Sequence, residues 1–203
     1  LADVPLEFLQ SYPSFGANRI WRIFQPKYYV CTDPLDAKKN LDVIRAMLCP
    51  VFLREGFGVG YPIDVILDNH HPQWNTFTPD PRYPVYDGCT VTYVALELAY
   101  WMGFTTVLLV GVDHRYTWDG PRLQTIVSDG SPDLNHFAPD YLRKGEKWQP
   151  PNLARMEAAY KIARAAYEAD GRKIYNLTEN TALDVFEKQE IALWQRQYIT
   201  AKY

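Results

Sequence analysis

Residues 87–116, DGCTVTYVALELAYWMGFTTVLLVGVDHRY, leave little freedom in how this chain can fold. Apolar side chains recur at Val91, Val94, Leu98 and Met102, with Ala95 and Ala99 beside them. That is helical spacing with one face turned inward. Gly103 follows the last periodic residue, where a left-handed C-cap is wanted. Residues 106–110, TVLLV, then run apolar without alternation, as a strand covered on both faces does. The strand leaves through Gly111, Val112, Asp113, His114 and Arg115, and open α/β sheets place ligands just past such strand ends. At the other end of the helix, the unpaired amides near Gly88, Cys89 and Thr90 suit either an anion or an ordinary cap.

The flanking chain repeats the alternation. Short strands are expected over 14–21, 27–33, 51–53 and 63–67, and a last one over 173–177. Helices are expected over 35–48, with Leu41, Ile44 and Leu48 on the apolar face, and over 153–170, stopped by Gly171. A short helix at 1–12 and two short C-terminal helices complete the pattern, with Trp194, Tyr198 and Tyr203 as packing or oligomer contacts. Several strands end in a polar residue: Asn18, Asp33, Asp113 and Asn176. The fold class read from this is α/β, a single domain whose mainly parallel sheet has one polar edge. Two stretches break the pattern. Residues 68–87 form a long loop holding His70 and His71, and 117–151 form an aromatic, polar, Pro- and Gly-containing insertion read as a lid over the strand ends.

Composition narrows the chemistry. A chain of 203 residues fits one such domain, and its net charge of -3 argues against bulk nucleic-acid binding. Cys31, Cys49 and Cys89 show no CxxC and no paired spacing, which suggests reduced thiols in a cytoplasmic setting. No apolar run is long enough to span a bilayer. Adjacent histidines cannot both face one ion from a regular strand, so no metal site is assigned to His70 and His71. GxGxxG, Walker, GxSxG and CxxC motifs are all missing. Amides, carboxylates, histidines and aromatics remain, a set better matched to a nucleotide than to a nucleophilic triad.

The run from Gly88-Cys89-Thr90 through Leu98-Ala99-Tyr100 and Gly103-Phe104 to Val110-Gly111-Val112-Asp113-His114 resembles the DUF115 family, described as 6-hydroxymethylpterin diphosphokinase-like. It is also similar to the bacterial sialyltransferases of glycosyltransferase family 42. The blocks Phe15–Ile20, Tyr28–Asp33, Asn135–Trp148 and Gly171–Thr178 extend the resemblance over nearly the whole chain. It implies a Rossmann-like three-layer fold with a lid. Members usually open with an apolar strand and a glycine-rich turn of the type GNGPSL, and this chain starts after that point.

What the resemblance implies for function is a nucleotide-dependent transferase, most simply a sialyltransferase-like enzyme using a nucleotide-sugar donor, CMP-linked in that family. The alternatives are a pterin-type diphosphokinase using ATP and Mg²⁺, or a non-catalytic nucleotide- or glycan-binding domain. Partners would be a small nucleotide donor and a glycan or pterin acceptor, with peripheral membrane association and homo-oligomer formation left open. By position, His136 matches the general base, with retention by Asp133 or Asp140 as the plainer alternative. Asp113 would hold a sugar hydroxyl or a metal. Asn18, Asp33, Asn176 and Thr178 would contact ribose or base, and Gly88, Cys89, Thr90 and His114 the phosphate or sugar side. For Asn18 and Asp33 a strand-end cap is the competing role, and for Gly88, Cys89 and Thr90 a helix cap.

Overall fold

Helix α4 (Val91–Trp101) sits where the apolar layers meet. Its expected face is real: Val94 and Leu98 are fully buried and pack on Val30 and Phe52 of the sheet. The opposite face is buried as well. Tyr93 and Leu96 join Tyr160, Ala163 and Tyr167 of α5 (Leu153–Ala169) in a second cluster. Only Thr92 and Glu97 interrupt an otherwise apolar sequence in α4, and a helix apolar all round is a buried helix. Gly103 takes φ +85°, and the Gly103 and Phe104 amides close on Tyr100 and Ala99 carbonyls, so the expected left-handed stop is present.

The computed structural model describes residues 4–54, 65–67, 76–118, 120 and 124–200. After α1 (Leu6–Ser11), strands β1 (Phe15–Ala17), β2 (Tyr28–Cys31), β3 (Val51–Arg54) and β4 (Val65–Leu67) form one parallel sheet in sequence order. Helices α2 (Pro34–Lys39) and α3 (Leu41–Arg45) connect β2 to β3. Strands β5 (Thr106–Leu109), β8 (Lys173–Asn176) and β9 (Glu187–Lys188) form a second parallel sheet. Between them in sequence, β6 (Ile126–Val127) and β7 (Lys147–Trp148) pair as an antiparallel ribbon. Helix α6 (Ile191–Thr200) ends the described chain. The result is mixed α/β with parallel sheets, consistent with a Rossmann-like layout.

Several expectations need correction. Among the described residues the parallel strands fall into two sheets, not one. Strand β5 is not covered on both faces: Thr106 is exposed, Val107 and Leu108 are half-buried, and Leu109 alone is buried. Leu109 and, partly, Val107 pack into the cluster around Tyr93 and Tyr160, while Leu108 between them joins no cluster among the described residues, so the apolar run records packing on one face. The helix expected over 35–48 breaks at Asn40, whose amide donates to the Asp36 carbonyl and carboxylate at 2.9 and 3.1 Å. Such side-chain bonds compete with helix continuation. Leu48, placed on the apolar face, is 92% exposed. The two expected C-terminal helices are one helix preceded by β9. Trp194 is used within the chain: its indole N–H donates to Gln189 at 2.9 Å, and Tyr12 donates to its carbonyl. Tyr203, the side chain of Tyr198, and His70 and His71 lie outside the described residues.

Candidate functional site

The exits of β5 and β8 lie on one side. β5 and β8 are parallel with Leu109 opposite Asn176, so Asp113 and Asn176 share the carboxyl edge. The two exits are tied to each other: the Val112 amide donates to Thr178 Oγ1 at 2.9 Å, and Thr181 Oγ1 donates to the Val112 carbonyl at 2.7 Å. Asn176, almost fully buried, accepts from the Thr178 amide and contacts Thr181. Asn176 and Thr178 therefore shape the edge with the atoms proposed to read a base. Asp113 is exposed, and its carbonyl accepts from Ala182.

Other assigned residues also have local work. Asp33 caps α2 by accepting from Leu35 N at 2.8 Å, and Thr90 caps α4 by accepting from Thr92 N. These match the capping alternatives. Gly88 takes φ +55°, and a Cβ there would lie 2.6 Å from the Tyr93 ring, so its smallness serves packing against α4. The Cys89 amide donates to Asp87 at 2.9 Å. Burial, with Asp87 nearby, pushes the Cys89 thiol up, so it is no activated thiolate. Two assigned residues keep a buried polar atom without a hydrogen bond among the described residues: Asn18 Oδ1 and His114 Nδ1. Both take positive φ, 50° and 54°, at strand exits. Burial lowers the His114 imidazole below its ordinary value, against the pull of Glu157.

His136 stands apart from these. Its Nδ1 lies 2.7 Å from Asp133 Oδ2, and the Asp133 side chain is almost entirely buried. The other Asp133 oxygen accepts from the Asn135 amide at 2.8 Å. A carboxylate can only accept, so Nδ1 donates to it and Nε2 is the ring nitrogen that Asp133 does not engage. The imidazole stacks on Tyr141 with centroids 4.0 Å apart and planes 5° from parallel, and Tyr116 meets it edge-on. Asp140, the other proposed holder of His136, pairs instead with Arg22 at 2.8 Å.

The segment carrying His136 is fastened to the exits of β1 and β2. Arg19, buried just past β1, binds Asp36 at 2.8 Å, Glu146 at 3.0 Å and the Tyr141 carbonyl, with its guanidinium 4.7 Å above the Tyr141 ring. Lys39 reaches the Lys147 carbonyl at 2.7 Å. Burial works against the Arg19 charge, but Asp36 and Glu146 outweigh it and hold Arg19 above its ordinary value. At Asp36 burial wins, pushing the carboxyl up in spite of Arg19. Burial would also raise Glu146, but Arg19 and then Lys39 hold it below the usual range.

On the β5 side, Tyr160 of α5 lies 3.4 Å from Thr90 Oγ1, and its ring centroid is 6.1 Å from that of His114. Burial pushes the Tyr116 hydroxyl up to about 12, with Tyr160, Asp133 and Asp113 adding to it. The structure thus brings His136, Asp133, Tyr116, Tyr141 and Arg19 together along one edge. Arg19, Asp36, Tyr116 and Tyr141 were not singled out as site residues from sequence. The signal the sequence offers for them is the polar Asn18-Arg19 pair at a strand exit. Among the described residues no group of three or more His, Cys, Asp or Glu is placed to hold a metal ion, and no helix is long and apolar enough to cross a membrane. No protein-family model, no curated protein and no solved structure matches the chain.

Proposed function

We propose that this protein is a nucleotide-dependent transferase of the sialyltransferase-like kind, moving a sugar from a CMP-linked donor to a glycan hydroxyl. The observation that supports the reading best is the Asp133–His136 pair, with Nδ1 committed at 2.7 Å and Nε2 left over. That is the arrangement of a general base and the group that orients it. In the reaction, Nε2 takes the acceptor hydroxyl proton as that oxygen bonds the anomeric carbon. The bond from that carbon to the phosphate oxygen breaks, and the nucleotide leaves with the electron pair. The 117–151 segment serves as the lid, fastened over the β1 and β2 exits of a Rossmann-like domain by Arg19, Arg22 and Lys39. Asn18 Oδ1 and His114 Nδ1 are the assigned atoms still open to a donor group. Among the described residues Asp36 and Glu146 converge, and they do so on Arg19, so they lend no support to the Mg²⁺-dependent diphosphokinase. Cytoplasmic location is part of this proposal.

Two measurements test it. A thermal-shift screen with CMP, UDP, GDP and ATP, each with and without Mg²⁺, should show stabilisation by CMP, since a ligand bound only by the folded state raises its stability. Stabilisation by ATP and Mg²⁺ alone would replace this reading with the kinase. In a transfer assay, His136→Ala should lower turnover by about 10²–10⁴-fold, the usual contribution of a general base. Near-unchanged turnover would leave His136 a purely structural residue.

A further inference from the structure

We propose that Arg19 is a positioning residue for His136, acting through Tyr141; its catalytic meaning rests on the transferase reading above. Arg19 and Tyr141 lie 122 positions apart in sequence, yet they are 5% and 6% exposed and touch twice. One guanidinium nitrogen donates to the Tyr141 carbonyl, and the guanidinium carbon lies 4.7 Å over the Tyr141 ring. The same ring stacks on the His136 imidazole, parallel within 5° at 4.0 Å. Asp133 fixes the imidazole in its own plane through Nδ1. Stacking fixes the plane itself. Two constraints of different direction define where Nε2 points, and the second depends on where Tyr141 is held.

Arg19 is itself over-determined. Asp36 of α2 takes its Nε at 2.8 Å, and Glu146 takes a terminal nitrogen at 3.0 Å. The planar fork therefore ties the β1 exit, α2 and the 141–146 stretch at one point, which a single-point ammonium cannot do. The sheet edge, not the insertion alone, sets the register of the base.

The chain has four histidines, so their ring protons can be followed one by one by NMR in the intact protein, with His136→Gln assigning the signal. A ring proton held over an aromatic face is shielded. Shielding of His136 should be lost in Tyr141→Leu, kept in Tyr141→Phe, and largely lost in Arg19→Lys, which keeps the charge but not the fork. Arg19→Lys should also lower kcat by about 10²-fold, the scale of a 1 Å misplacement, with little change in donor KM. A folded Arg19→Lys with full His136 shielding overturns the proposal. So does unchanged kcat in that variant where His136→Ala is inactive. Should Arg19→Lys fail to fold, Glu146→Gln loosens the same guanidinium, and an unmoved His136 signal there is equally fatal. If His136→Ala keeps its turnover, the transferase reading fails by itself, and the shielding alone decides whether Arg19 places the ring.

Discussion

Helix α4 packs on the first sheet, the 133–148 segment on the chain just past β1 and on α2, and the two are held by opposite means. Helix α4 presents Val94 and Leu98 to Val30 and Phe52, all buried, with no charge in the contact. The 133–148 segment meets the turn after β1 and helix α2 through Arg19, Arg22 and Lys39 against Glu146, Asp140 and backbone carbonyls, with Leu134 and Phe137 left exposed. Apolar burial is non-directional and grows with area, whereas an ion pair is directional and depends on pH and salt. The first kind of contact builds a permanent core. The second builds an attachment that can be undone while the core stays intact.

The largest effect should come from breaking the first kind. Leu98→Ala removes a fully buried side chain from between helix and sheet. Urea unfolding should show a loss of about 2–5 kcal/mol, the usual range for such a truncation. A loss below about 1 kcal/mol would mean that α4 is not seated as described.

Glu97 is the one charged side chain on α4, and it sharpens the comparison from inside the core. It is fully buried, and its Oε1 accepts from the Thr78 amide at 2.6 Å, while Tyr93 donates to the Thr76 carbonyl at 2.7 Å. Burial pushes the Glu97 carboxyl up to about 9, against the Thr78 hydrogen bonds. Because the folded value is raised, the neutral carboxyl favours the fold fully below the ordinary carboxylate range, and that contribution is lost as pH rises toward 9. Between pH 5 and 7 the wild type should lose on the order of 2–3 kcal/mol relative to Glu97→Gln. Parallel stability curves for the two proteins would show that this carboxyl is ionised in the fold.

The sequence displayed the first kind of contact better than the second. The inward face of α4 and its stop at Gly103 follow from a local period and a local conformation, and both are present. The second face of α4 was missed because Glu97 looks like a solvent marker, and nothing local says that a carboxyl will be buried neutral. Strand β5 suggests full cover in the sequence because an apolar run does not report whether other elements pack on both of its faces. Asp133 was legible beside His136 because three residues separate them. Arg19 and Tyr141 were not, since 122 positions separate them and each looks ordinary where it stands. Asp33, Thr90, Asn176 and Thr178 are ambiguous for a different reason: a cap and a ligand contact use the same residue types at strand ends and helix starts.

The smallest effect should come from loosening the segment without touching the core. The Arg22 hydrogen bonds hold Asp140 below the usual carboxylate range, and Arg19 with Lys39 holds Glu146 there against burial. Both folded values are lowered, so their attachment is present above the ordinary carboxylate range and is lost as pH falls through the lowered values. Salt should act in the same direction on the exposed Arg22–Asp140 pair and hardly at all on buried Arg19–Asp36. The reporters are the ribbon amides: Ser128 N donates to Glu146 O, and Gly145 N to Ser128 O, each at 2.8 Å. Their hydrogen-exchange protection, corrected for intrinsic rates, should fall a few-fold from about 0.1 M to about 1 M salt, where the screening length drops from about 10 to about 3 Å. It should fall further on acidification below about pH 4, while amides in the middle of α5 keep theirs. If α5 and the ribbon lost protection together, the segment would belong to the same cooperative unit as the core. If neither changed, ion pairs would not be what fastens it.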